Sequence, residues 1–97
     1  MEKINGNEIE KYTKSGDVLI VFSASWCGPC KPHKENVKRA IVYTGVKAYE
    51  VDAERWEDVA REYDIQGLPT TLYFQDGELI DGDTGLKSEE KIKELMI

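Results

Sequence analysis

Both cysteines of the chain lie in one stretch, Ser25-Trp26-Cys27-Gly28-Pro29-Cys30-Lys31, with Gly-Pro between them. Thiols at the two ends of a four-residue segment can come close enough to bond when that segment enters a first helical turn. A helix N-terminus offers free N–H groups and the positive end of the helix dipole, and both stabilise a thiolate. The thiolate is the attacking species in thiol–disulfide exchange. The stretch therefore suits reversible dithiol/disulfide chemistry, with Cys27 as the exposed nucleophile and Cys30 as the more buried, resolving thiol. Pro29 fits a helix opening because it needs no N–H there and its φ is already set. Gly28 leaves room for another backbone to approach. The competing use of two cysteines is half of a zinc site. Two thiols and the single histidine, His33, fall short of the four ligands of a closed site, so no metal is expected, and the exchange needs no organic cofactor.

The flanking sequence reads as the elements that hold this stretch. Val18-Leu19-Ile20-Val21-Phe22 is a short apolar run of β-branched and aromatic residues, the pattern of a central strand covered on both faces. From Gly28 to about Tyr43 the spacing predicts a helix, with Val37, Ala40 and Ile41 inward and Lys31, Lys34, Glu35, Lys38 and Arg39 toward water. Pro32 falls in its first turn, where proline is tolerated, and Thr44-Gly45 ends it.

Upstream, Asn5 to Lys14 reads as a helix capped by Asn5 or Asn7, with a short strand before it at Glu2–Asn5; a disordered tail is the competing reading. Downstream, Val46 to Val51 alternates as a strand. Trp56, Val59, Ala60 and Tyr63 then form a helical stripe, better explained as core than as a ligand site. Thr70–Phe74 and Glu78–Asp83 flank the hairpin signal Asp76-Gly77. Ser88 caps a last helix with Ile92, Leu95 and Met96 inward. Helices alternating with strands, closed by a hairpin, predict an α/β fold: a central mixed β-sheet sandwiched by helices. The acidic residues Asp52, Glu54, Glu57, Asp58 and Glu62 read as a solvated face, and His33 as a solvated residue early in its helix.

Ninety-seven residues make one domain, 1–97. The net charge of −6 argues against nucleic acid as a partner. No segment approaches the length of a membrane span. The polar start Met1-Glu2-Lys3-Ile4-Asn5-Gly6-Asn7-Glu8 lacks the apolar core of a signal peptide. A cytoplasmic location is expected, and there a lone Cys-x-x-Cys is not a structural staple.

Trp26-Cys27-Gly28-Pro29-Cys30-Lys31 resembles the active site of the thioredoxin family. Ile65-Gln66-Gly67-Leu68-Pro69-Thr70 resembles that family's cis-proline loop, Phe74-Gln75-Asp76-Gly77-Glu78 its hairpin turn, and Thr84-Gly85 the loop before its last helix. The resemblance covers most of the chain. It implies a thioredoxin fold and a monomeric protein-disulfide reductase, with disulfide-containing proteins as substrates and a thioredoxin reductase to restore the dithiol. It implies that Trp26 is a partly exposed ring packing on the partner protein, against the alternative of an ordinary core tryptophan. It implies a cis Leu68–Pro69 bond that presents the backbone of Leu68 to an extended substrate. Gly67, Leu68, Pro69, Thr84 and Gly85 would line a shallow groove beside Trp26.

The chain departs from the family at several positions. Val21 stands where most thioredoxins carry a buried aspartate, and Glu50, to within a residue or so, where the partner lysine stands. Glu35 replaces a mid-helix proline, and Ser23 a position that is often aromatic. Glu50 is either a buried carboxylate with a raised pKa, suited to accept a proton, or an exposed group near its strand end. Two other readings compete with the reductase: an oxidant or isomerase, and a binding or assembly subunit without turnover.

Overall fold

In the computed structural model, which describes residues 1–97, the apolar run becomes the middle of a five-stranded sheet. The strands are β1 (Glu2–Lys3), β2 (Asp17–Ser23), β3 (Lys47–Asp52), β4 (Thr70–Gln75) and β5 (Glu78–Thr84), in the spatial order β1-β3-β2-β4-β5. β2 runs parallel to β3 and antiparallel to β4, so the sheet is mixed.

Because β2 is central, its side chains feed two cores in alternation. Val18, Ile20 and Phe22 point into the larger one, with Ile4, Ile9, Val51, Leu72 and Phe74. Helices α1 (Ile9–Thr13) and α3 (Glu57–Glu62) cover that face. Leu19 and Val21 point the other way, onto Val37 and Ala40 of α2 (Cys30–Ile41) and Ile92 of α4 (Glu89–Leu95). The α/β sandwich expected from the sequence is therefore the fold, and each face of the sheet has its own pair of helices.

Several local features follow the sequence chemistry. The hairpin between β4 and β5 turns at Asp76 and Gly77, whose φ values of +50° and +88° match the mirror-image turn favoured by Asp-Gly. The Ser88 side chain accepts a hydrogen bond from the Lys91 N–H as the cap of α4. β5 is an edge strand. Between the pairs Tyr73↔Asp81 and Phe74↔Leu79 its register shifts by one residue, and the resulting bulge together with Glu78, Asp81 and Asp83 discourages edge-to-edge pairing.

Helix boundaries shift relative to the sequence reading. The first helix is a 3-10 turn, Gly6–Glu8, followed by the short α1. α2 begins at Cys30 rather than Gly28 and ends at Ile41 rather than Tyr43. Tyr43 takes a φ of +65° and is fully exposed.

His33 is a clear correction. It is fully buried, not solvated, because α2 turns it onto the sheet. Its Nδ1 accepts from the Lys87 N–H at 3.1 Å, which leaves the proton on Nε2 to donate to Thr71 Oγ1 at 2.6 Å. One ring thus ties α2 to β4 and to the loop before α4. Burial lowers its pKa, aided by the Lys87 charge and opposed by Asp83. With the folded pKa below the unfolded one, the unfolded chain binds the extra proton first as pH falls, so stability is full above about 6.5 and declines below it. Urea midpoints at pH 8 and pH 5.5 should show this decline in the wild type and a smaller one in His33→Gln. An equal decline in both would mean that His33 is not its source.

Candidate active site

β2 ends at Ser23, and the chain then turns through Ala24–Pro29 into α2. The turn is pinned by backbone hydrogen bonds from the Cys27 N–H to Ala24 O and from the Cys30 N–H to Cys27 O. Cys27 and Cys30 are joined by a disulfide with their Cα atoms 5.4 Å apart. Cys27 retains 7% of its surface and Cys30 only 1%, so the order of exposure matches the expectation. Cys27 is nonetheless largely covered, because Ala24 and Leu68 pack against the pair.

Trp26 is 67% exposed and is not a core residue. Its Nε1–H donates to the Glu54 carboxylate at 3.0 Å, which fixes the ring at the mouth of the site. Glu54 thus leaves the bland acidic face to which the sequence reading assigned it. Beside the ring lies a hollow of about 290 Å³ whose lining includes Ala53, Ile65, Gly67 and Leu68.

The Leu68–Pro69 peptide is cis. Its loop is held from both sides: Thr70 Oγ1 donates to Gly67 O at 2.6 Å, and the Gly85 N–H donates to Pro69 O at 2.7 Å. Gly67 lies close to β5: a Cβ there would stand 3.0 Å from the Thr84 methyl, which would have to shift to admit it. Gly67, Leu68, Pro69, Thr84 and Gly85 therefore form one tied surface, with Leu68 against the disulfide.

Glu50 stands on the other side of the disulfide. It pairs in register with Val21 on the neighbouring strand, so the two departures from the family pattern face the same place in the sheet. Glu50 is buried, with 10% of its side chain exposed, as one of the two sequence readings had it. The raised pKa expected there is corrected. Burial does push it up, but hydrogen bonds from Lys34 and Ser23, with the charges of Lys34 and Lys3, outweigh burial and hold it below the usual carboxylate range. Lys34 Nζ lies 2.8 Å from Glu50 Oε2, and Ser23 Oγ donates to the same oxygen at 2.5 Å.

Lys34 is a further correction. The sequence reading placed it toward water, but its side chain is only a quarter exposed because it is drawn onto Glu50. The available signal was its spacing, four residues after Cys30 and hence on the same helical face. Ser23, Lys34, Glu50 and both cysteines line one cleft of about 430 Å³.

The family model described as Thioredoxin matches residues 2–97. The chain is 37% identical over 83 residues to a thioredoxin of Mycoplasmoides gallisepticum, covering 81% of this chain and 80% of that one. It is 33% identical over 86 residues to a thioredoxin of Bacillus subtilis, covering 87% and 83%. Among solved structures, oxidised mitochondrial thioredoxin 3 of Saccharomyces cerevisiae superposes with a TM-score of 0.86 at 28% identity, over 99% of this chain and 93% of that one. A close cysteine pair at a strand-to-helix turn, beside an exposed tryptophan and a cis-proline loop, is thus found in a chain whose whole length fits one family, and we conclude that the chain belongs to the thioredoxin family and is a thiol–disulfide oxidoreductase whose redox pair is Cys27 and Cys30.

Proposed function

We propose that the protein works mainly as a protein-disulfide reductant, with residues 1–97 acting as one domain. The observation that carries this reading is the Cys27–Cys30 disulfide set between exposed Trp26 and the Leu68–Pro69 loop, where an extended substrate has both an aromatic platform and free backbone to pair with. Cys27 attacks the substrate disulfide as thiolate and forms a mixed disulfide, releasing one substrate thiol. Cys30 then attacks Cys27 Sγ, closes the protein disulfide and releases the second thiol. Two electrons pass from the dithiol to the substrate, and a reductase returns them.

Trp26, Gly67, Leu68, Pro69, Thr84 and Gly85 bind substrate in this scheme. Gly28 and Pro29 shape the turn between the thiols. Glu50 accepts the proton of the resolving thiol. The protein acts as a monomer in the cytoplasm, on disulfide-containing proteins, with a thioredoxin reductase as its electron source and neither nucleic acid nor membrane as a partner. Gly-Pro between the cysteines favours the reducing direction, an inference that Val21 and Glu50 in place of the family's usual pair weaken.

An equilibrium titration of the Cys27–Cys30 pair in defined thiol buffers decides the direction. The expected result is a single two-electron transition at a strongly reducing potential. A distinctly oxidising midpoint would replace the reductant with an oxidant or isomerase. No reversible transition would leave only a binding module.

A further inference from the structure

Four residues, Gly85 to Ser88, join β5 to α4, and the first of them belongs to the groove proposed for substrate. Three bonds fix their course. The Gly85 N–H donates to Pro69 O at 2.7 Å. The Lys87 N–H donates to His33 Nδ1 at 3.1 Å, and Asn36 Nδ2 donates to the Lys87 carbonyl at 2.9 Å. Both backbone polar groups of Lys87 are thus held by side chains of α2. Of the two holders Asn36 is half-buried, while His33 has no exposed surface.

We propose that His33, assisted by Asn36, is a positioning residue for substrate binding: it clasps the Gly85–Lys87 wall of the groove to the helix that carries Cys30, and so holds groove and dithiol in register. The proposal rests on the reading of Gly67, Leu68, Pro69, Thr84 and Gly85 as the substrate groove, and it gives that groove its anchor on α2. Cys30 opens α2 and His33 stands three residues later, in the same first turn. From there the ring reaches both sides of the groove. Its Nε2–H donates to Thr71 Oγ1 on β4, just past the cis Leu68–Pro69 bond, and its Nδ1 takes the Lys87 N–H. Thr70 Oγ1, 3.1 Å from Thr84 Oγ1, links the two sides to each other.

The clasp needs a neutral ring, which has one donor and one acceptor, and both are used. Burial keeps the ring neutral, helped by the Lys87 charge and opposed by Asp83, which itself pairs with Lys87 at 3.5 Å. In a closed interior a polar group left without its partner costs more than the bond itself contributes, so the three elements are fixed together. Without the ring, Gly85 keeps its bond to Pro69 O, but the chain beyond it is held to α2 by Asn36 alone. An extended peptide must meet the groove wall and the reacting sulfur at once, whereas a small disulfide needs only the sulfur.

Two substitutions separate the two bonds of the ring. His33→Asn keeps an acceptor oxygen at the place of Nδ1 for the Lys87 N–H and loses the reach to Thr71. His33→Gln keeps a donor at the place of Nε2 for Thr71 and loses the bond to Lys87. Each reduced full-length protein is mixed at pH 8, where the ring is neutral, with two chromogenic disulfides that share a leaving group. One joins thionitrobenzoate to the cysteine of an extended peptide, the other joins it to 2-mercaptoethanol. Release of thionitrobenzoate against concentration gives a limiting rate and a saturation constant, and the wild type should favour the peptide. His33→Gln should raise the saturation constant for the peptide, and lower the peptide-to-mercaptoethanol preference, by about fivefold, the scale of one neutral hydrogen bond. His33→Asn should keep the preference near that of the wild type. Asn36→Ala should lower it by about twofold.

A ring that serves only as a structural tie would lower the urea midpoint of both His33 variants and leave the preference for the peptide where it was; that result overturns the proposal, as does an equal loss of preference in His33→Asn and His33→Gln. Should either His33 variant fail to fold, Asn36→Ala decides, since it frees the Lys87 carbonyl from a half-buried site and leaves the ring in place. A wild-type protein that takes both disulfides equally well would overturn the groove reading itself, and the clasp with it.

Discussion

Cys30→Ser is expected to halt the protein at its mixed disulfide. The variant keeps Cys27, which attacks a protein disulfide as before, but a serine hydroxyl cannot complete the exchange. Incubation with a disulfide-bonded protein substrate should therefore accumulate a covalent 1:1 adduct, visible on a non-reducing gel and released by dithiothreitol. Cys27→Ser should form no adduct. In both variants multiple turnover should fall by on the order of 10⁴-fold or more, the scale seen when a covalent nucleophile is removed. The asymmetry rests on exposure, since Cys27 retains surface and Cys30 is almost wholly enclosed by the start of α2 and by Leu68. Adduct formation by Cys27→Ser and not by Cys30→Ser would reverse the two roles.

The second large effect concerns stability. Phe22→Ala should destabilise the fold by about 4 kcal/mol, because an aromatic ring removed from a closed core leaves a cavity that its neighbours fill only in part. Phe22 has no exposed surface and lies in the larger core, with the Tyr63 ring centroid 6.2 Å from its own. A chain of this size has roughly 5–15 kcal/mol of stability in total, so the variant should sit near the edge of folding. Phe22→Leu, closer in volume, should lose only about 1 kcal/mol. Urea unfolding of the three proteins measures both. A loss below about 1.5 kcal/mol for Phe22→Ala would show a core that collapses around the gap. The same variant should also loosen the active site, since Phe22 precedes Ser23 and the turn that carries Cys27.

The two predictions draw on different levels of the molecule. The cysteine chemistry was legible because it is local: the Cys27-Gly28-Pro29-Cys30 spacing sets how close the thiols come, and the apolar run before it needs two covered faces, which only a central strand provides. The hairpin at Asp76-Gly77 and the Ser88 cap are local in the same sense, because turn and cap chemistry involves neighbours within four residues. The tied surface of Gly67, Leu68, Pro69, Thr84 and Gly85 came from a family resemblance. Residues far apart in the chain build it, and periodicity does not join them.

The fates of His33, Lys34 and Glu50 were decided by tertiary structure. A helical pattern specifies which residues share a face, but the direction of that face is set by what the helix packs on. α2 leans on β3 and β4, so His33 is driven between Thr71 and Lys87, and Lys34 is bent onto Glu50. Burial alone predicts a raised Glu50 pKa, and the sequence showed the burial as one possibility. The donors that reverse the shift come from positions 23 and 34, which are 27 and 16 residues away. Charges separated that far in the chain meet only when the sheet has been assembled, and a pKa responds to that meeting rather than to the residue's own neighbours in sequence.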